Sequence, residues 1–536
     1  MQFHSFDTRD PVFSFGPWLL SFQVITLENT YGLTLERTTV TREGNAWRLI
    51  CGELSWAGQQ RRAPGGLTAI VRPEGAGLRL SISADAAHTI RCVKVLVRGL
   101  ARLEVLDLLD QPEPVPEGGA LLRYPNYLRL PLLFVRHEGG TIGLRCEDAQ
   151  GRAKRFAVYA ERFGPLAGQY AVELIHEEDA RYFGKHIDVP DWVIALAPDL
   201  DAFRAAQLAF AEAHMGLTPW EQRADVPDWA RRISLVATIH CMHWTGYIFN
   251  TYDDAREILR AITERLPGEH VLALLPGWEG RYYWQYSDYR PEPLLGGADG
   301  FARLADEARS LGVHLMPFFG VTSANAWETP GFEQFGPPSR MKSPTGAIYT
   351  GNRPDWDVSR GRDTTWQAWL NIGAPAWRAE LTRQIRATLD AYDLDAVFLD
   401  CPEVWINDPE HNIREGLHAL VADLRAARPD LLVTGEDWWD GILDVLPVCQ
   451  STRKWRPVPA WAGRYARFFE HIADSEPGRG STGVFESGYA PYEPLPEQPY
   501  NIPSIAFVDG TLAAAPAAIE AAIFRARRYA ATLSTA

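Results

Sequence analysis

Lysine is scarce in this 536-residue chain: there are five, at positions 94, 154, 185, 342 and 454, and the basic complement is mostly arginine. With a net charge of −15, the chain has no basic excess to neutralise a phosphate backbone, so nucleic acid is not an expected partner. No apolar run is long enough to span a bilayer, so neither is a membrane. The six cysteines (51, 92, 146, 241, 401, 449) are scattered, with no Cys-x-x-Cys. No disulfide framework or zinc knuckle is implied, which suits a reducing cytoplasm. The N-terminus lacks a basic segment followed by an apolar one, so no secretory leader is expected, and the location predicted is cytoplasmic. No Gly-x-Gly-x-x-Gly follows any predicted strand, which removes the fingerprint of a dinucleotide fold, and no repeat or low-complexity tract is present.

Tryptophan, by contrast, is abundant, with nineteen residues, many of them after residue 240. Aromatic faces stack on the C–H faces of sugars, though large proteins also bury Trp in their cores. Length alone predicts two domains. Residues 1–195 read as an antiparallel β-sandwich, with short alternating runs such as Leu78-Arg-Leu-Ser-Ile-Ser between turn signals. Residues 196–225 read as a linker helix (Asp201–Met215) and a Pro-bounded connection. From 226 to 536, strands and helices alternate in the rhythm of a (β/α)8 TIM barrel, giving a multidomain α/β plus all-β chain. A doubly wound sheet is the alternative.

The predicted barrel strands are Ile233–His240, His270–Leu275, Val313–Phe319, Asp395–Asp400, Leu431–Glu436, Val445–Ser451, Thr482–Glu486 and Ile502–Asp509. The predicted helices are Asp253–Leu266, Gly300–Leu311, Ala376–Tyr392, His411–Arg428, Trp461–Ala473 and Ala513–Thr532. The insertion 320–375 is too long for an ordinary loop. It carries Asn325, Trp327, Asp355, Trp356, Asp357 and Trp369, and reads as a substrate wall or lid, or else as a decorative subdomain.

Two of these strands end abruptly in an acid. Side-chain parity puts Ala396, Phe398 and Asp400 on one face of the fourth, and Leu432, Thr434 and Glu436 on one face of the fifth. Both acids then sit at the top of the barrel interior, close enough for the paired carboxylates of glycoside cleavage. The short Asp400 suits a nucleophile. Glu436, before Asp437-Trp438-Trp439, suits an acid kept protonated by apolar surroundings. Asp437 and Glu403 compete for the acid role, and both acids of the pair could instead merely cap strands. Candidate sugar-binding residues on the same face are His240, Trp244, Trp278, Glu279, Trp284, Asn325, Asp355, Trp356, Asp357, Trp438, Trp439, Glu486 and Asp509. His240-Cys-Met-His243 on a strand does not aim both rings one way, so no metal site is expected, and no cofactor.

Val397-Phe-Leu-Asp400, Val433-Thr-Gly-Glu436 and Asn371-Ile-Gly-Ala-Pro-Ala-Trp377-Arg378 resemble the motifs of retaining α-glycosidases of the α-galactosidase-like group. The likeness is greatest to the endo-α-N-acetylgalactosaminidase family and its bacterial relatives. The resemblance implies an N-terminal sandwich, Asp400 as nucleophile after the fourth strand and Glu436 as acid/base after the fifth. The chain departs from that group in stopping soon after its last predicted helix, without the C-terminal β domain common there, and its lack of a secretory leader makes a small glycoside or oligosaccharide the expected substrate. The α-amylase family uses the same two strands but carries an Arg where this chain has Phe398. A transglycosylase with the same carboxylates and a non-catalytic carbohydrate-binding barrel are the alternatives; a homo-oligomer is compatible with the sequence.

Overall fold

The computed structural model describes residues 3–4, 11–108, 111–242, 246–280, 287–349, 367–451, 458–470, 495–508 and 510–533. They form two compact units: Met1–Leu217 with Trp439–Gly441, and Thr218–Trp438 with Ile442–Ala536. Among the described residues no helix is long and apolar enough to cross a membrane.

The first unit is an antiparallel β-sandwich organised on one 24-residue strand, Gly77–Leu100. Its first half pairs with Gly65–Glu74 and Gly184–Leu196. Its second half pairs with Trp18–Thr26 and Tyr170–Glu177. The register breaks between Asp85 and Ile90, where the strand passes from one layer to the other. Alternating Leu78, Leu80, Ile82 and Ala84 are buried, as two-sided patterning requires. Between the layers Phe156 meets Trp192 edge-on at 5.6 Å. The helix expected at Asp201–Met215 is observed at Leu200–His214, capped by the Asp199 carboxylate on the Ala202 N–H. It is not a free linker: Phe203 packs on Phe134 at 5.8 Å within this unit. Trp439–Gly441 completes the unit. Trp439 stands edge-on to Tyr124, whose hydroxyl donates to Asp440 Oδ1 at 2.7 Å.

The second unit is an eight-strand parallel barrel. Its strands are Leu235–Ile239, Val271–Leu275, His314–Gly320, Ala396–Asp400, Leu432–Glu436, Val448–Gln450, Arg467–Phe469 and Ser504–Phe507. Each pairs with the next up to the seventh, and the eighth pairs with the first. The remaining seam is closed by Phe468, whose N–H donates to Tyr500 O (2.8 Å) and whose carbonyl accepts from Ile502 N (2.7 Å). Outer helices include Tyr252–Thr263, Gly297–Leu311, Pro375–Tyr392, Ile413–Ala427 and Pro516–Leu533. Their starts follow local chemistry: a capping box joins Thr251 and Asp254, Pro375 opens its helix, and Asn412 caps the Glu415 N–H.

One expectation fails. The described part of the expected helix Trp461–Ala473, residues 461–470, is not helical throughout: Ala462–Arg464 is a single 3-10 turn and Arg467–Phe469 is the seventh strand. Phe468 and Phe469 are both fully buried, one on each side of the sheet, which a parallel barrel strand favours over an amphipathic helix. The expected seventh strand, Thr482–Glu486, lies outside the described residues.

His176 gives the sandwich an acid-sensitive point. Its ring is fully buried on the strand beside Lys154, and among the described residues neither ring nitrogen has a hydrogen-bond partner. Burial, and then the charges of Lys154 and Arg152, hold its pKa well below the ordinary value, against the opposing pull of Asp148. The folded state therefore keeps the ring neutral while the unfolded state takes a proton below about pH 6.5. The stability it contributes above that pH is lost as pH falls. Between pH 7.5 and 5.5 urea unfolding should show a loss of about 1.4 kcal/mol from this group, absent in His176→Leu.

Candidate active site

Four strand tips stand level. Gly320 pairs with Asp400, Leu399 pairs with Gly435 one step below Glu436, and Glu436 pairs with Gln450. The face that carries the two acids is the barrel interior. Phe398, two residues before Asp400, stacks on Phe318 at 5.0 Å and reaches Phe469 of the seventh strand at 6.3 Å. Thr434, two before Glu436, donates to Val397 O at 3.1 Å and lies 3.1 Å from Met316 Sδ. Asp400 and Glu436 continue this packed column at its top, the end at which barrels of this kind carry their chemistry.

One oxygen of Asp400, one of Glu436 and the Cys401 sulfur all lie within 4.8 Å of one another. Asp400 is buried and Glu436 half-buried. Each acid is followed by a non-glycine residue in the left-handed region, Cys401 at φ +54° and Asp437 at φ +53°. That conformation costs on the order of 1 kcal/mol apiece and is retained where function or surrounding structure demands it. Here it turns the chain sharply off each strand tip. The Asp437 N–H donates to Gln450 O at 2.9 Å. The Cys401 N–H donates to Glu436 Oε2 at 3.3 Å, and its thiol lies 3.4 Å from the same oxygen and 3.6 Å from Asp400 Oδ2. Burial, followed by the charges of Asp400, Glu436 and Glu403, pushes the thiol pKa well above its ordinary value, so it remains an S–H donor. Among the described residues this is the one such grouping of His, Cys, Asp and Glu compact enough for a cation. Within it the Cys401 N–H and thiol are engaged with Glu436 and the thiol lies beside Asp400.

Tyr289 lies against the tip of the third strand. Its hydroxyl donates to Gly320 O (3.1 Å) and accepts from Gly320 N (2.8 Å). Burial, then the charges of Glu279 and Asp400, raise its pKa well above the usual phenol value. Tyr289, Gln450, Glu470 at the tip of the true seventh strand, and Cys401 were all missed by sequence reading. An acid after an apolar pair, as in Phe468-Phe469-Glu470, was the available signal for the third of these.

The other candidates divide. His240 is buried at the end of the first strand, its ring edge-on to Phe249 at 5.9 Å. Glu279 is buried beyond the second strand, near enough to Tyr289 for its charge to act there. Trp278 is fully buried, donates to Phe318 O at 3.0 Å and packs on Phe301 at 5.1 Å. Trp438 is also fully buried, against Trp461 (5.5 Å) and Phe468 (5.3 Å). Trp439 belongs to the first unit. Asn325 is buried and accepts from the Trp327 and Glu328 N–H groups at 2.9 and 3.0 Å, organising the turn that leaves Trp327 65% exposed. His243, Trp244, Trp284, Asp355, Trp356, Asp357, Glu486 and Asp509 lie outside the described residues.

No family model matches the chain, and no curated protein matches it in sequence. Solved structures do. The α-N-acetylgalactosaminidase NagBb from Bifidobacterium bifidum, in complex with GalNAc, aligns over 99% of this chain and 91% of its own, with TM-score 0.65 and 15% identity. The galactosidase domain of the α-galactosidase-sucrose kinase AgaSK aligns over 96% of this chain and 72% of its own, with TM-score 0.52 and 14% identity. The α-galactosidase AgaA from Geobacillus stearothermophilus, in complex with 1-deoxygalactonojirimycin, covers 96% and 75%, with TM-score 0.51 and 12% identity. At such identities the likeness is one of fold: an N-terminal β-sandwich followed by a (β/α)8 barrel, the architecture of the α-galactosidase-like barrel glycosidases.

Proposed function

We propose that the protein is a glycoside hydrolase, a retaining α-glycosidase in which Asp400 is the nucleophile and Glu436 the acid/base. The observation that carries this reading is the approach of the two carboxylates to within 4.8 Å on adjacent strand tips. Between carboxyl groups, retaining pairs stand about 5–5.5 Å apart and inverting pairs about 6.5–9.5 Å, and a single-oxygen approach of this order supports the shorter class. Like charges at this distance favour retention of one proton between them, as the acid role requires.

In the first step an Asp400 oxygen bonds to the anomeric carbon while the glycosidic C–O bond breaks. The Glu436 proton passes to the departing oxygen. In the second, Glu436 takes a proton from water, the water oxygen bonds to the same carbon, and the Asp400 ester bond breaks. Two inversions restore the starting configuration and the protons balance. The fold relatives act on α-galactosides and α-N-acetylgalactosaminides, so a small α-glycoside of galacto configuration is the substrate we infer. The six free thiols suit a reducing compartment, and we place the reaction in the cytoplasm.

Aryl α-galactoside and α-N-acetylgalactosaminide should be turned over by the wild type, and Asp400→Asn should abolish this. Glu436→Gln should lower kcat by about 10²–10⁴-fold on substrates with poor leaving groups. The loss in kcat/KM, which reports only the first step, should be much smaller on 2,4-dinitrophenyl glycosides, whose phenolate departs without a proton. Sugar binding without turnover on any glycoside would make the barrel a binding protein. Products lengthened by an acceptor sugar would make it a transglycosylase.

Stereochemistry is a separate check. Proton NMR of the reaction in progress should show the α-anomer first. A β-anomer appearing first would remove Asp400 from the nucleophile role.

A further inference from the structure

Cys401 is not needed for the two steps above, yet its sulfur sits between the two acids. We propose that Cys401 is a positioning residue whose S–H donates to whichever of Asp400 and Glu436 carries the charge at each stage of the reaction. This rests on the assignment of those two carboxylates as nucleophile and acid/base. The geometry supplies two acceptors, Glu436 Oε2 at 3.4 Å and Asp400 Oδ2 at 3.6 Å, for one rotatable proton. In the free enzyme the charge is on Asp400. Once Asp400 is esterified, the charge is on Glu436, and rotation about Cβ–Sγ carries the S–H across without moving a heavy atom.

The backbone reinforces this direction. The left-handed φ of Cys401 is what presents both its N–H and its sulfur to Glu436. A thiol suits the place because it remains protonated: Asp400, Glu436 and Glu403 all disfavour the thiolate. The other ionisable groups nearby are Glu403, whose charge reaches the Cys401 thiol, Asp437, which follows Glu436 in the chain, and Tyr289, whose hydroxyl lies on Gly320 and whose pKa the charges of Glu279 and Asp400 raise. A donor to ionised Glu436 favours the ionised form, so its removal should hold the proton on Glu436 to higher pH.

The test compares Cys401→Ala with Cys401→Ser. Both residues carry the same left-handed backbone cost, so the pair isolates the donor. In Cys401→Ala the acidic limb of glycosyl-enzyme hydrolysis, the step in which Asp400 is esterified and Glu436 must be ionised, should move up by about half a pH unit or more. Hydrolysis of the glycosyl-enzyme should also slow, while Cys401→Ser keeps the limb at the wild-type position. Loss of activity with an unmoved limb in Cys401→Ala would overturn the proposal and leave Cys401 a packing residue. A second readout does not depend on turnover. The infrared S–H stretch, isolated as the wild type minus Cys401→Ala difference, should be that of a hydrogen-bonded thiol. It should shift with pH, and Glu436→Gln should abolish the shift. A free, pH-independent stretch would overturn the proposal even in an active enzyme. A pH-responsive stretch in a protein that cleaves no glycoside would instead sink the glycosidase reading.

Discussion

The register between the fourth and fifth barrel strands governs the site. Ala396 to Leu399 pair in step with Leu432 to Gly435, so the residues that follow, Asp400 and Glu436, leave the sheet at the same height. In a parallel sheet paired residues share a face, and a slip of one residue on either strand would turn its acid toward the surrounding helices. The interior packing resists that slip. Phe398 is held between Phe318 and Phe469, and Thr434 is held by Val397 O and Met316. The hydrophobic layer is thus also the ruler that sets the separation of the carboxylates.

Above that layer the chain must turn away at once, or the acids would be covered by their own backbone. Both turns use left-handed residues that are not glycine. Glycine would adopt the same angles without strain but with more freedom, and at position 401 it would remove the sulfur. The strained backbone and the side chain it carries therefore act together at Cys401. At Asp437 the turn is tied to the sixth strand through Gln450.

Much of this was legible in the sequence, for a physical reason. Barrel strands are short and buried on both faces, so Asp395–Asp400 and Leu431–Glu436 read as apolar runs, and an acid ending each marks the mouth of a barrel. The seventh strand was not legible. Arg467–Phe469 is three residues long, and it becomes a strand through partners at Val448–Gln450 and Tyr500–Ile502 that no local window contains. Glu470 was lost with it. Tryptophan misled in another way: Trp278 and Trp438 stand beside strand tips, yet each is enclosed by other aromatics. Composition cannot separate a ring that stacks on sugar from one that packs on Phe. The sign of φ at Cys401 was equally invisible, so its sulfur looked like one more scattered thiol.

The first unit does not close within its own stretch of chain. Tyr124 finds its acceptor in Asp440, 316 residues further along, and the Arg129 carbonyl accepts from the Asp440 N–H. On a ribosome, which releases the chain from the N-terminus, the sandwich would emerge and pair its strands long before Trp439–Gly441 had been made. It would wait with a polar group and an aromatic face uncovered until five of the eight barrel strands had been synthesised. The end of its assembly is timed by translation of the other unit.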